Sequence, residues 1–234
     1  MFILAAAILV AWVVMWRTAY LLRPPLLRLG TGPRIANYLL ISWRDLASAV
    51  AAIALIGCVE LGTGRADMAR ALAEAGFRLG PAEPLAVLSV LLFSACYAIN
   101  LGFALVRHAV GGRPKAVSVN LVPDSAAETF VFSLVLAPAS GLGEEIVFRG
   151  ALLWGFIALT GDPVASVASQ AVLFGIIHLY QGGHGVLRTM AIGLVLGAGT
   201  LASGSLVPAI IAHTLINAAV GAVRVGSPRR PAKS

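Results

Sequence analysis

Long uninterrupted apolar segments run through most of this chain and limit it to few folds. Most are about 20 residues long, the length that an α-helix needs to cross about 30 Å of hydrocarbon. In a chain that is 59% hydrophobic and 12% charged, they are typical of a polytopic helical membrane protein and not of a soluble globule. The alternating pattern of an outer-membrane barrel is absent. The segments cover residues 2–22, 45–62, 85–106, 126–159, 163–180, 185–203 and 206–223.

The fourth segment, residues 126–159, is too long for one straight span. It contains Pro138, Gly141 and Gly143, residue types that kink or interrupt helices. It is therefore expected to be a tilted or kinked helix, or two elements. We predict an all-α fold with seven transmembrane helices, or eight if this segment divides. Residues 1–225 then form a single transmembrane domain, followed by a disordered basic tail.

Basic residues at the ends of the apolar segments predict the orientation of the chain. The net charge of +7 is explained by basic residues that set the membrane topology and contact anionic lipid headgroups. No patch of aromatic and basic residues suggests binding to nucleic acid. The positive-inside rule makes the connections 17–44 and 107–125 and the tail cytoplasmic, and it places the N-terminus outside. The connection 63–84 is then external, and its RADMARALAEAG stretch predicts a short interfacial helix.

The first apolar segment and the two cysteines have simple interpretations. Positive charge, beginning with Arg17, follows the apolar residues 1–16 instead of preceding them. This order is the reverse of a cleaved signal peptide, so the segment 2–22 is expected to be a span. Cys58 and Cys96 lie inside apolar segments. They are expected to be buried hydrophobic residues without a disulfide.

Six polar or charged side chains at bilayer depth stand out in the second half of the chain. A charge there costs roughly 2.5–3.5 kcal/mol on insertion scales, so such residues usually have a function. Residues four apart share a helix face, which groups the six into three stripes. The stripes are Glu144, Glu145 and Arg149, then His178 with Phe174, then His213 with Asn217.

Spacing within the first stripe predicts different contacts for its two acids. Glu145 precedes Arg149 by four residues, the favourable order for an ion pair within a helix. Glu144 lies about 100° around the helix and is predicted to face another group, His178. Each stripe alone could be structural, because polar side chains also join neighbouring membrane helices. Together they favour a site with a carboxylate, two imidazoles and an amide.

Two hydrolytic chemistries are open to this set. Glu144, His178 and His213 are the ligand types of a zinc site whose fourth position holds water, so Zn²⁺ or another divalent metal is a candidate cofactor. Without metal, a Glu–His pair can activate water as a general base. The Asn217 amide is a donor for a developing oxyanion.

Three motifs carry a resemblance to a known family. The chain has EEIVFR at 144–149, FGIIH at 174–178 and HTLIN at 213–217. They resemble the Glu-Glu-x-x-x-Arg, Phe-x-x-x-His and His-x-x-x-Asn motifs of the CPBP intramembrane proteases. That family unites type II CAAX prenyl proteases with bacteriocin-processing and bacteriocin-immunity relatives. The resemblance covers roughly residues 126–220.

This resemblance implies proteolysis within the membrane. By it, Glu144 and His178 activate water, and the Glu145–Arg149 pair supports the site. His213 and Asn217 stabilise the oxyanion. The implied partners are the lipid bilayer and a membrane-associated substrate, either prenylated and CAAX-like or of the bacteriocin type. The short chain with small loops is similar to bacterial members, which implies the plasma membrane.

Two functions of other classes stay open on the residues alone. A proton- or ion-coupled transporter would use buried acids and histidines as a path, although no internal repeat supports it. A non-catalytic immunity or scaffold protein could keep the fold, although the intact motifs argue against it. Other intramembrane proteases fit less well, because Gly-x-Ser-x-Gly and His-Glu-x-x-His motifs are absent.

Overall fold

The computed structural model describes residues 34–64, 67–112 and 121–222, so the first predicted span and the basic tail lie outside the described residues. Within these ranges the fold is all-helical. A 3₁₀ turn at Leu179–Gln181 joins the fifth helix to the sixth. The helices are α1 (Arg34–Gly62), α2 (Met68–Glu74), α3 (Ala82–Ala109), α4 (Ala126–Thr160), α5 (Pro163–Ile176), α6 (Gly183–Ser203) and α7 (Val207–Ala222).

Four of the described helices, α1, α3, α4 and α6, are long and apolar enough to cross a membrane. Helices α5 and α7 have 14 and 16 residues, which rise only about 21 and 24 Å at 1.5 Å per residue. The predicted all-helical membrane fold is confirmed for the described residues. The number of spans, seven or eight, stays a prediction.

Helix α1 begins earlier than predicted. The apolar segments predict a connection at residues 17–44, but residues 34–44 form the first turns of the helix. Tyr38 is fully buried, packs edge-on against Phe132 at 5.3 Å between ring centroids, and donates a hydrogen bond to the Leu121 carbonyl at 2.9 Å. These contacts extend the helix beyond the apolar run.

Helix α4 is one element, which agrees with the predicted single helix and not with a division into two. It is a continuous run of 35 residues with two π-helical stretches, Phe132–Leu136 and Ile146–Leu152. Pro138 follows the first stretch, where a widened turn tolerates a residue without a backbone N–H. The second stretch begins directly after Glu145 and contains Arg149.

Two glycines bring α4 close to its neighbours. A Cβ on Gly143 would lie 2.5 Å from the carbonyl oxygen of Asp45 in α1. A Cβ on Gly141 would lie 3.0 Å from the backbone nitrogen of Thr214 in α7. Helix α4 is therefore held between α1 and α7, with its polar stripe inside the protein.

The external connection and the cysteines give mixed outcomes. The predicted short helix is present as α2, where the Asp67 carboxylate caps the N-terminus by accepting from the Arg70 amide at 3.0 Å. Cys96 is buried as predicted, but the burial predicted for Cys58 is wrong, because its place on α1 faces away from the core.

Candidate active site

The three polar stripes meet at a cavity of about 570 Å³. Glu144 reaches it from α4, His178 from the turn after α5, and His213 and Asn217 from α7. The ion pair of the first stripe lies behind the cavity wall. Each of the three stripes thus contributes at least one side chain to the same cavity.

His178 lies in a turn and not on a helix face as predicted. Helix α5 ends at Ile176, and Gly182, with φ of 84°, closes the turn before α6 in a conformation that favours glycine. His178 Nδ1 lies 2.7 Å from the Phe174 carbonyl oxygen. A carbonyl only accepts, so Nδ1 carries the hydrogen and Nε2 of the neutral ring carries the lone pair.

Phe174 therefore holds His178 in two ways. Its carbonyl accepts the imidazole hydrogen, and its ring packs edge-on against the imidazole at 4.8 Å between centroids. The same phenyl ring packs against Phe148 of α4 at 5.0 Å. The spacing of four that suggested a shared helix face thus reflects a helix end and its cap.

Glu145 joins α4 to α7. Its Oε1 accepts a hydrogen bond from Arg149 Nη1 at 2.8 Å and lies 2.7 Å from His213 Nδ1. Both members of the ion pair are fully buried, so the pair predicted from spacing is present. An ionised Glu145 only accepts, which assigns the Nδ1 hydrogen to His213. His213 Nε2 can then donate a hydrogen bond only when the ring is protonated to imidazolium.

Arg149 is buried against an aromatic ring. Its guanidinium carbon lies 4.3 Å from the centroid of Phe174, within the range of a cation–π contact. Within the described part of the chain, its Nε and Nη2 and the Oε2 of Glu145 have no hydrogen-bond partner. The ion pair and the ring are thus the contacts that offset the burial of this charge.

Glu144 faces the cavity beside His213. Its side chain is almost entirely buried, and Oε2 lies 3.9 Å from His213 Nε2. The predicted neighbour, His178, lines the same cavity. The two acids therefore have different surroundings, because Glu144 reaches the cavity and Glu145 binds the arginine.

The metal predicted for Glu144, His178 and His213 finds no support in the donor geometry. Among the described residues, no group of three or more His, Cys, Asp and Glu side chains is arranged to hold a metal ion. His178 Nδ1 contacts a carbonyl and His213 Nδ1 contacts Glu145, so Nε2 of each ring is the nitrogen that could reach a metal. Metal binding at these residues stays a prediction.

A buried polar network beside the site was not predicted. Arg44 Nη2 binds Asp45 Oδ1 at 2.7 Å, and Ser140 donates to Asp45 Oδ2 at 2.6 Å. Arg44 and Ser140 also line the cavity. An adjacent Arg–Asp pair at the edge of an apolar segment was the available signal, but charges there are ordinarily assigned to the membrane interface.

Comparison with known families agrees with the site. The model of a family described as type II CAAX prenyl endopeptidase Rce1-like matches residues 126–219. No curated protein and no solved structure matches the chain. The matched region includes α4, α5, α6 and most of α7, with all the residues of the three stripes.

Proposed function

We propose that this chain, which belongs to the CPBP family of intramembrane proteases through its Rce1-like residues 126–219, hydrolyses membrane-associated peptides. In the proposed reaction, Glu144 and His178 activate the attacking water. The family match supports an intramembrane endopeptidase of the CAAX type. One observation carries the proposed mechanism. Glu144, His178 and His213 come from separate elements far apart in sequence and line one cavity.

The first step is the activation of water. Glu144 accepts a proton from the water as its oxygen attacks the carbonyl carbon of the scissile bond. His178 Nε2, whose lone pair follows from the Nδ1 contact with Phe174, accepts a hydrogen bond from the other O–H of the water and so orients the nucleophile. Collapse of the oxyanion breaks the C–N bond while Glu144 gives its proton to the leaving amine, so that both groups on the enzyme are restored.

The second requirement is stabilisation of the oxyanion. Asn217 lies one helical turn beyond His213 on α7, and both line the cavity. The amide N–H of Asn217 and Nε2–H of a protonated His213 are the proposed donors. Glu145 fixes the His213 ring through Nδ1, and Arg149 fixes Glu145. The ion pair thus acts through the histidine and does not touch the substrate.

The proposed substrates are membrane-associated peptides, either prenylated and CAAX-like or of the bacteriocin type, in a bacterial plasma membrane. The apolar side chains of Leu101, Ile192 and Leu196 line the cavity with the polar groups, which suits a partly hydrophobic substrate. A divalent metal stays part of the proposal as a testable cofactor. Metal analysis of the purified protein, with and without a chelator, measures it independently of cleavage.

The test is a cleavage assay with protein in lipid nanodiscs and a panel of lipid-anchored fluorogenic peptides, with and without a prenyl group. Glu144→Gln keeps the shape of the side chain but removes the base, so turnover should fall by about 10²–10⁴-fold. Thermal stability should change little. Glu83→Gln is the matched control, because Glu83 is exposed at the start of α3, away from the cavity.

Near-normal cleavage by Glu144→Gln would overturn the proposed mechanism. Proton flux through liposomes that depends on Glu144, without cleavage of any peptide, would favour the transporter alternative. A phenotype that survives Glu144→Gln would favour the non-catalytic immunity or scaffold alternative.

A further inference from the structure

A buried arginine of α1 lines the cavity, although the proposed hydrolysis does not use it. Arg44 forms part of the cavity lining together with Glu144. Helix α1 precedes the residues that match the family model, so this arginine lies outside the region that contains the three motifs. A charge buried within a membrane helix is costly and usually has a function.

Arg44 is held by the acid that follows it in the chain. Its Nε and Nη2 donate to Asp45 Oδ1 at 2.9 and 2.7 Å, and Asp45 is fully buried. Ser140 of α4 donates to the other carboxylate oxygen, Oδ2, at 2.6 Å. The carboxylate therefore neutralises the guanidinium and fixes its Nε–Nη2 edge, while Ser140 fixes the carboxylate.

The bonds to Asp45 use one edge of the guanidinium group. A guanidinium has five N–H donors, and Asp45 accepts from two of them. The Nη1 group belongs to the opposite edge, through which a substrate would be bound. A second anion at this edge would bring two negative charges together in the cavity. A neutral acceptor, such as a peptide carbonyl oxygen, has no such cost.

The contact between α1 and α4 places Arg44 close to the level of Glu144. Ser140 lies four residues before Glu144 on the same face of α4, a rise of about 6 Å. A Cβ on Gly143 would lie 2.5 Å from the Asp45 carbonyl oxygen, so the two backbones touch beside the acid. An extended peptide advances about 3.3–3.6 Å per residue, so this rise corresponds to about two residues of substrate.

We propose that Arg44 donates a hydrogen bond to a backbone carbonyl oxygen of the substrate within about two residues of the scissile bond, an inference that rests on the proposed function. Asp45 and Ser140 are positioning residues that act through Arg44. The contact recognises the peptide backbone and not a side chain. It therefore holds extended peptides of different sequence beside Glu144.

A purely structural role for the Arg44–Asp45 pair predicts a different result. Such a pair would join α1 to α4, as Arg34 of α1 does by pairing with Glu128 of α4 at 3.3 Å, outside the cavity lining. Loss of a joining pair lowers stability and the fraction of active protein. It does not change which oxygen atom of the substrate contributes to binding.

Substrates with single-atom changes test the contact without altering the protein. Glu144→Gln in lipid nanodiscs is titrated with the fluorescent lipid-anchored peptide that the unaltered protein cleaves fastest or, if none is cleaved, with the one that binds most tightly. A series of this peptide has each backbone carbonyl oxygen in turn replaced by sulfur, a weaker acceptor. One thioamide near the scissile bond should weaken binding by about tenfold.

The same titrations in a protein without the guanidinium complete the test. Arg44→Gln is combined with Asp45→Asn, so that no carboxylate is left without its cation. The unmodified peptide should bind this protein about tenfold more weakly. The thioamide that weakened binding before should have no further effect, because the two changes remove the same hydrogen bond. Arg44→Lys should retain part of the thioamide effect.

Arg34→Gln is the matched control, because it breaks an ion pair between the same two helices outside the cavity lining. Arg78→Gln, at an exposed residue outside the lining, controls for the loss of one charge. Both variants should keep the full thioamide effect. Thermal unfolding identifies any variant that is not folded, and the thioamide series in Glu144→Gln alone still tests the contact in that case.

Equal thioamide effects with and without the guanidinium, or no effect of any thioamide in folded Glu144→Gln, would overturn the inference. Cleavage by the unaltered protein would then keep the proposed function. A thioamide effect that depends on Arg44, without cleavage of any peptide, would reject the proposed function and keep the backbone contact. Absence of both binding and cleavage would reject both.

Kinetics of the protein with intact Glu144 give a second readout. Arg44→Gln with Asp45→Asn should raise KM by about tenfold with little change in kcat, because the contact is made in the bound substrate as well as in the transition state. A fall in kcat at unchanged KM would contradict the inference.

Discussion

At the scale of single residues, Glu145 Oε1 is the point on which two other side chains depend. Arg149 Nη1 and His213 Nδ1 both lie within 2.8 Å of this one oxygen. Removing the arginine would leave the carboxylate with its contact to the His213 imidazole. The ion pair therefore stabilises α4 and also sets the orientation of a histidine on α7.

Arg149→Ala should accordingly lower both stability and activity. Leaving Glu145 without its cation in a buried place should cost about 3–5 kcal/mol, the range seen when a buried pair is broken from one side. Thermal unfolding in detergent, beside the cleavage assay, measures the two effects. Arg78→Ala serves as the control. An Arg149→Ala protein as stable as the unaltered chain would show that the pair carries little of the fold.

Sequence spacing predicted the local part of this arrangement only. The Glu145–Arg149 pair follows from a separation of four residues within one helix. The bond between Glu145 and His213 joins residues 68 apart, and no local pattern specifies it. The Arg44–Asp45 pair was missed for a related reason, because burial of a charge at a segment edge depends on Ser140, 95 residues from Asp45.

At the scale of elements, α4 works as a central helix because its small residues let α1 and α7 approach. Gly143 meets the backbone of Asp45, which cannot move aside as a flexible side chain could. The neighbouring residues in the helix are Glu144 and Glu145. Close packing of α1 and the placement of both acids are therefore linked.

Gly143→Ala should test that link. The added Cβ would meet the Asp45 carbonyl oxygen at 2.5 Å, and overpacking of this kind costs about 1–3 kcal/mol. Stability should fall, and cleavage should fall further because Glu144 shifts with the backbone. Gly102→Ala in α3 is the control, since a Cβ there meets nothing within 4 Å. Equal behaviour of the two variants would contradict the close contact.

Helix boundaries were predicted less well than helix identity. Apolar length identified α3, α4 and α6 within a few residues at most ends, because lipid-facing helices need continuous hydrophobicity. It placed the start of α1 at residue 45 instead of 34 and extended α5 past its end. Both errors arise where polar contacts, such as the cap of His178 on Phe174, override hydropathy. The π-helical stretches of α4 left no pattern in the sequence.

At the scale of the whole molecule, the connections between helices lie on two faces. On one, Tyr38 donates to the Leu121 carbonyl at 2.9 Å, and His184 Nε2 lies 2.7 Å from the Phe103 carbonyl. On the other, the Leu206 amide donates to the Gly76 carbonyl at 2.9 Å. These contacts join connections that the predicted topology assigns to the same side of the membrane.

Cysteine labelling should resolve which face is cytoplasmic. In a background without Cys58 and Cys96, a cysteine at Ser118 should react with a membrane-impermeant reagent only after the membrane is opened. A cysteine at Thr63, exposed on the opposite face, should react in intact cells. A cysteine at Ser227 is expected to match Ser118. The reverse pattern would invert the predicted orientation.

The location of the ion pair within a single helix also bears on how the protein is made. Chains enter the membrane from the N-terminus onward, so α4 arrives before α7 brings His213. At that stage Glu145 already has its cation four residues away in the same segment. The nascent helix can therefore neutralise one of its two adjacent acids before its last partner is synthesised, which lowers the cost of inserting the charges that the finished site needs.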